Sequence, residues 1–367
     1  MRKSDKLEKH FIKNIKDYKK NSLIKEILKV KVIESKDKKV TLFYAIRDNY
    51  IGIYINGMSV KLELKEGDVW LTPTKSNPSE NSPDLLELKE IFKNCNKEHI
   101  KTINQFKTAM VKYFETYSNY QAIKAMNEKI YQHILTHTIN NFKSLKKDYG
   151  EINIIDAELY IYLTELKKRG DARGKIDLVG ISSTGKLLYI EVKIDGPVIL
   201  GNNGINKHCH DIKEYIEHGY SKEDVNTLIG QINFLFDKDI KLIKNEIPDF
   251  IIICGYHPSE KHEVIDQIAE ITSKEMIKEL KNYPKIVNVN NKPEELKTIH
   301  EHFQDLKDRR VVPRLLMAEV NDKYELITEY DINYITTKKY ANKPFHYIRK
   351  SLLSYLKQHK QINENEK

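Results

Sequence analysis

Cysteine is scarce in this chain, and the three present, Cys95, Cys209 and Cys254, are odd in number and far apart. A disulfide framework is therefore excluded, and the three are read as reduced thiols. His208-Cys209-His210 suggests zinc, but adjacent side chains cannot converge on one ion, and no second Cys/His pair stands at finger spacing. No stretch approaches the roughly 20 apolar residues that a spanning helix needs, so no membrane partner is expected. The N-terminus, Met1-Arg2-Lys3-Ser4-Asp5-Lys6, runs straight into charged sequence without a secretory leader, and the expected location is the cytoplasm. No Gly-rich loop ending in Gly-Lys-Ser/Thr is present, which argues against ATP use. The single tryptophan, Trp70, is expected in the core.

What the chain does have is length, lysine and apolar alternation. Its 367 residues suffice for two domains, or one core with additions, without metal or disulfide support. The net charge of +9 and pI near 9.0 favour a polyanionic partner. From Lys338 to Lys360 there are seven Lys/Arg and no acid, interleaved with Tyr340, Phe345, Tyr347 and Tyr355, a pattern suited to nucleic-acid phosphates and bases. The same stretch also reads as an amphipathic helix with Phe345, Ile348, Leu352 and Leu356 on one stripe.

Residues 1–30 read as helix, with Leu7, Phe11 and Ile15 at spacing four. From Val40 the period changes to two, and Asp48-Asn49 and Asn56-Gly57 supply turns, so an antiparallel meander is predicted. Residues 75–84 carry two prolines and read as a linker. Helix follows, in at least two pieces, over about 85–146, and Tyr149-Gly150 ends it. Strands are predicted at 152–163, at Ile176 to Ser182 and at Leu187 to Ile194, with Ser183-Thr184-Gly185 turning between the last two. Helices are predicted at about 205–218 and 222–237. The apolar run Phe250 to Cys254 then reads as a strand buried on both faces.

Within this order lies Ile176-Asp177-Leu178, followed fourteen residues on by Glu191-Val192-Lys193. The Glu-x-Lys spacing alone is uninformative, because Glu-Leu-Lys recurs at Glu63, Glu87, Glu279 and Glu295, and Asp48 stands at a similar distance before Glu63. Burial separates them. Ser59, Lys61, Glu63 and Lys65 make one polar strand face, as a solvated sheet presents, whereas Glu191 and Lys193 share a face with Leu187 and Tyr189 while Leu188, Ile190, Val192 and Ile194 fill the other. Asp177 lies between Ile176 and Leu178, but Asp48 sits in a turn, where Asp is ordinary. Buried charges at this density either staple strands to one another or serve a cation.

The Asp177, Glu191 and Lys193 pattern resembles the D-(X)n-E-X-K signature of the PD-(D/E)XK nuclease superfamily, over roughly residues 120–256, with Ile176 where the family name has proline. The resemblance implies an α/β fold: a restriction-endonuclease-like αβββαβ core with a mixed sheet over 85–256, an N-terminal β-meander module over 1–84 and a C-terminal extension with a basic tail over 257–367. It implies a Mg2+-dependent endonuclease, with Mn2+ able to substitute, acting on nucleic acid, DNA foremost, in restriction or anti-phage defence. Asp177, Glu191 and the Val192 carbonyl would bind the metal, and Lys193 would orient or activate the attacking water. An additional carboxylate is expected from Glu128, on the helix before the first core strand, or from Glu158, on that strand. Gln231 resembles a glutamine that some members place near the site, although a solvent-facing role competes with it. His208, His210 and Asp211 could touch substrate or start a helix. A homodimer and a catalytically inactive nucleic-acid-binding protein of the same fold stay open.

Overall fold

The computed structural model describes residues 11–36, 38–74, 95–124, 127–162, 173–194, 222–243, 248–260 and 313–331. The fold is mixed α/β, with both parallel and antiparallel strand pairs. The chain divides into two compact units, one of Met1–His137, Ile154–Ala157 and Ser221–Lys241, the other of Thr138–Asn153, Glu158–Tyr220 and Leu242–Lys367.

The first unit opens with helices α1 (Ile15–Lys20) and α2 (Ser22–Lys29). The single helix expected over residues 1–30 is broken at Asn21, whose side chain accepts from Ile24 N–H at 3.0 Å and caps α2. Strands β1 (Val32–Ser35) and β2 (Lys38–Thr41) form an antiparallel ribbon. The meander then runs through β3 (Phe43–Arg47), β4 (Tyr50–Ile55), β5 (Met58–Lys65), β6 (Asp68–Pro73) and β7 (Glu98–Ile100), in that order across a five-stranded antiparallel sheet. Asn56-Gly57 and Glu66-Gly67 join their strands with both residues at positive φ, the left-handed pair that matches hairpin twist. Ile51, Ile53, Val60, Leu62 and Leu71 are fully buried on one face of this sheet. Helices α3 (Ile103–Lys124) and α4 (Asn127–Thr138) follow, and α3 buries Phe106, Met110 and Tyr113.

The second unit contains α5 (Lys143–Tyr149) and most of a six-stranded sheet. Gly150, at φ +65°, closes α5 with its N–H on the Lys146 carbonyl at 2.9 Å. Strands β8 (Ile152–Tyr162), β9 (Arg173–Ser182) and β10 (Leu187–Ile194) precede α6 (Lys222–Phe236), which groups with the first unit, and β11 (Asp249–Tyr256), β12 (Pro313–Val320) and β13 (Leu326–Asp331) complete the sheet. Its spatial order is β13-β12-β11-β10-β9-β8. Strands β10, β11 and β12 run parallel, while β9 is antiparallel to β10 and β13 to β12. Every residue of β10 is buried, and so is all of β11 beyond Asp249, as expected of strands covered on both faces. The β9–β10 turn places Gly185 at φ +87°, where it donates to the Ser182 carbonyl at 2.9 Å.

Among the described residues, no helix is long and apolar enough to cross a membrane. The helix expected at 205–218 and the basic stretch from Lys338 to Lys360 lie outside the described residues.

Candidate active site

The β9–β10 hairpin positions the three residues singled out by sequence. Its antiparallel register pairs Leu187 with Ile181, Tyr189 with Val179 and, last, Ile190 with Leu178, and alternation beyond that pair puts Glu191 and Asp177 on the face of Tyr189 and Val179. Cross-strand partners share a face, and Lys193, two residues along, points the same way. Asp177, Glu191 and Lys193 thus line one side of the sheet, at 4%, 1% and 4% exposure. The Val192 N–H donates to Asp177 Oδ2 at 3.0 Å, and Lys193 Nζ donates to Glu191 Oε1 at 2.6 Å. The bond across the hairpin holds the Asp177 carboxylate, and the bond within β10 holds that of Glu191.

The Glu63–Lys65 pair on β5 is an internal control with the same spacing. Its Nζ to Oε1 distance is 2.9 Å, but its side chains are 19% and 53% exposed, against 1% and 5% for Glu191 and Lys193. The polar face predicted for β5 is observed, with Ser59, Lys61 and Glu63 half-buried and Lys65 exposed. Solvent screens the β5 pair and leaves it cheap, whereas the β10 pair carries the desolvation of two charges.

The same sheet face continues onto residues that sequence reasoning missed. Lys193 aligns with Cys254 on β11, and Tyr256, two residues further, aligns with Glu319 on β12. The Tyr256 hydroxyl donates to Glu319 Oε2 at 3.3 Å, and both residues are buried. Glu319 follows the apolar stretch Leu315 to Ala318, so the test that selected Glu191, an acid inside a buried strand, applied to it as well. Lys193, Tyr256 and Glu319 lie toward the carboxyl ends of parallel strands, the edge at which open α/β sheets take ligands.

Glu158 lies on β8, which borders the Asp177 strand, and is buried with a left-handed backbone at φ +59°. That conformation is costly for a residue with a Cβ and is tolerated where surrounding structure enforces it. Glu128 stands in the first turn of α4, half-buried, in the first unit. Gln231 is neither solvent-facing nor arranged as a ligand. Its side-chain oxygen accepts from Ile12 N–H at 3.0 Å and its amide donates to the Ile12 carbonyl at 3.1 Å, so it clips the N-terminal segment to α6. His208, Cys209, His210 and Asp211 lie outside the described residues. Trp70 is not in the core but half-buried on the outer meander face, stacked on His99.

Comparison with known proteins finds no matching family model, no matching curated protein and no matching solved structure. The chemistry therefore rests on the side chains themselves. Among the described residues, no three or more His, Cys, Asp or Glu side chains gather as a metal-holding group. What the hairpin offers is a pair of carboxylates, all-oxygen donors of the type hard cations prefer, such as Mg2+ or Mn2+. Such a pair fits Mg2+, which commonly binds through one or two carboxylates and takes its other ligands from water and phosphate.

Proposed function

We propose that this chain is a metal-dependent nuclease of the PD-(D/E)XK type, hydrolysing phosphodiesters, with DNA as its principal substrate. The observation that carries the reading is the buried Asp177, Glu191 and Lys193 set on one sheet face, against a more exposed Glu-x-Lys pair on β5. The element order α4, β8, β9, β10, α6, β11 supports it, as does the parallel pairing of β10 with β11.

Asp177 and Glu191, with the Val192 carbonyl, would hold the ion. A bound Mg2+ neutralises nonbridging phosphate oxygens and lowers the pKa of a bound water. The Val192 N–H fixes the Asp177 carboxylate, so the ligand is set before substrate arrives. Lys193, paired with Glu191, would from that face orient the attacking water and donate to a phosphate oxygen. Water would add to phosphorus and give up a proton to solvent, one P–O ester bond would break, and the leaving oxygen would take up a proton in exchange. Substrate would approach from the carboxyl edge of β10, where the strand ends one residue after Lys193.

The close Lys193–Glu191 contact also suits a protein that binds nucleic acid on this fold without cutting it. Incubating purified protein with duplex DNA, single-stranded DNA and RNA in Mg2+, Mn2+ or EDTA separates the two. The nuclease reading expects cleavage with either metal and none in EDTA, and Asp177→Asn should bind without cutting. Metal-independent retention of intact substrate by the wild type would favour the binder.

A further inference from the structure

The outer face of the meander carries an arrangement that phosphodiester chemistry does not explain. One row crosses four strands. Ile51 pairs with Leu62, so the next step sets Tyr50 beside Glu63, which pairs with Trp70, which pairs with His99. Tyr50, Glu63, Trp70 and His99 are all half-buried. Trp70 and His99 stack with centroids 4.8 Å apart and planes 22° from parallel. Tyr50 and Trp70 stand two strands apart, about 9.6 Å.

Cations accompany both rings. Lys97 Nζ lies 4.1 Å from the Trp70 centroid, and Lys61 Nζ lies 4.8 Å from that of Tyr50. Glu63 pairs with Lys65 at 2.9 Å and accepts from Thr72 Oγ1 at 3.3 Å, and Asp68 lies 3.2 Å from His99 Nε2. Lys61 and Lys97, set against the two rings, offer cations to a phosphate backbone.

We propose that this face binds single-stranded nucleic acid, stacking a base on Trp70 while Lys61, Lys65 and Lys97 meet phosphates. An exposed cation–π contact is worth about two- to fivefold in an equilibrium, whereas base stacking on an aromatic side chain is worth about five- to 150-fold. A base therefore displaces the Lys97 ammonium from the ring at a net gain, and the freed lysine keeps an electrostatic role beside the phosphate. Because a stacked base must expose its face, the site discriminates against duplex.

Trp70 is the only tryptophan in the chain, so its emission reports this site alone. Full-length protein is titrated in EDTA, which silences metal-dependent cutting, with a short oligothymidylate and separately with a duplex. The proposal expects saturable quenching by the single strand and little by the duplex. With labelled oligothymidylate followed by anisotropy, Trp70→Ala should raise Kd at least about fivefold while Trp70→Phe retains most of the affinity. Lys97→Ala, an exposed change that leaves the sheet intact, should lower the slope of log affinity against log salt by about 0.7. Absence of quenching at saturating oligonucleotide, equal quenching by duplex, or an unchanged Kd for Trp70→Ala in a folded protein would overturn the proposal. These outcomes are independent of whether the protein cuts.

Discussion

Replacing Glu191 by Gln, beside Glu63→Gln as its control, compares one chemical change in two environments. At an effective dielectric of about 20, Coulomb's law gives about 6 kcal/mol of attraction for unit charges at the 2.6 Å of the Glu191–Lys193 pair. At the 2.9 Å of the Glu63–Lys65 pair, in a dielectric near ~80, it gives about 1.4 kcal/mol. Desolvation has already consumed part of the first figure, but removing one partner leaves the other charge buried, at a cost of about 3–5 kcal/mol. Gln keeps a hydrogen-bond acceptor and Asp177 remains on the same face, so Glu191→Gln should cost about 3 kcal/mol, against less than about 1 kcal/mol for Glu63→Gln. Urea unfolding followed by far-UV circular dichroism reads both. Cleavage should be lost in Glu191→Gln and retained in Glu63→Gln. Equal stability costs for the two variants, or a cost under about 1 kcal/mol for Glu191→Gln, would refute the claim that burial distinguishes them.

Other expectations follow from neighbouring parts of the structure. Arg47 is buried and salt-bridged to Asp156, and it also donates to the Ala157 carbonyl and, at 2.9 Å, to Tyr54 Oη. Burial is the largest single effect and works against its charge, but the charge and hydrogen bond of Asp156 together with Tyr54 and Tyr50 hold the guanidinium above its ordinary range. Arg47→Met should therefore destabilise the first unit by about 3–5 kcal/mol in urea, and Asp156→Leu on that background should restore much of the loss. Tyr18 is pushed up from 10.0 to about 12, chiefly by burial, its hydroxyl donating to the Asn49 carbonyl and accepting from Leu64 N–H. The folded state then keeps its proton where the unfolded chain loses it, so stability is intact below pH 10 and falls by about 3 kcal/mol as pH rises toward 12. Urea midpoints across that window should flatten in Tyr18→Phe. In cleavage assays against magnesium concentration, Glu158→Gln should raise the metal requirement while Glu128→Gln leaves it unchanged, and the reverse result would move the additional carboxylate to the helix.

Where local signals agreed, the sequence was legible. Strand β10 was read at its observed bounds because two-fold alternation, apolar flanks and a Ser-Thr-Gly turn pointed the same way, and β11 stood out as an apolar run between turn residues. Strand β7 was missed because three residues, Glu98-His99-Ile100, are too few to show a period, and its pairing with β6 comes from tertiary contact. Strand β12 is rich in Leu, Met, Ala and Glu, residues with little strand preference, and parallel pairing to β11 supplies what propensity does not. Its Glu319 was passed over with it. Trp70 was expected in the core because apolar bulk predicts burial, but its alternation with Val69 and Leu71 already put it on the Glu63 face. Gln231 shows the limit of reading residues singly, since its partners on Ile12 are more than two hundred positions away.

The central claim is tested most directly by cleavage of a labelled DNA by wild-type protein and Asp177→Asn, each with Mg2+ and with EDTA. The account predicts product from the wild type in Mg2+ alone and none from Asp177→Asn, which still binds the DNA. Cleavage by Asp177→Asn at the wild-type rate, or wild-type cleavage undiminished in EDTA, would contradict it.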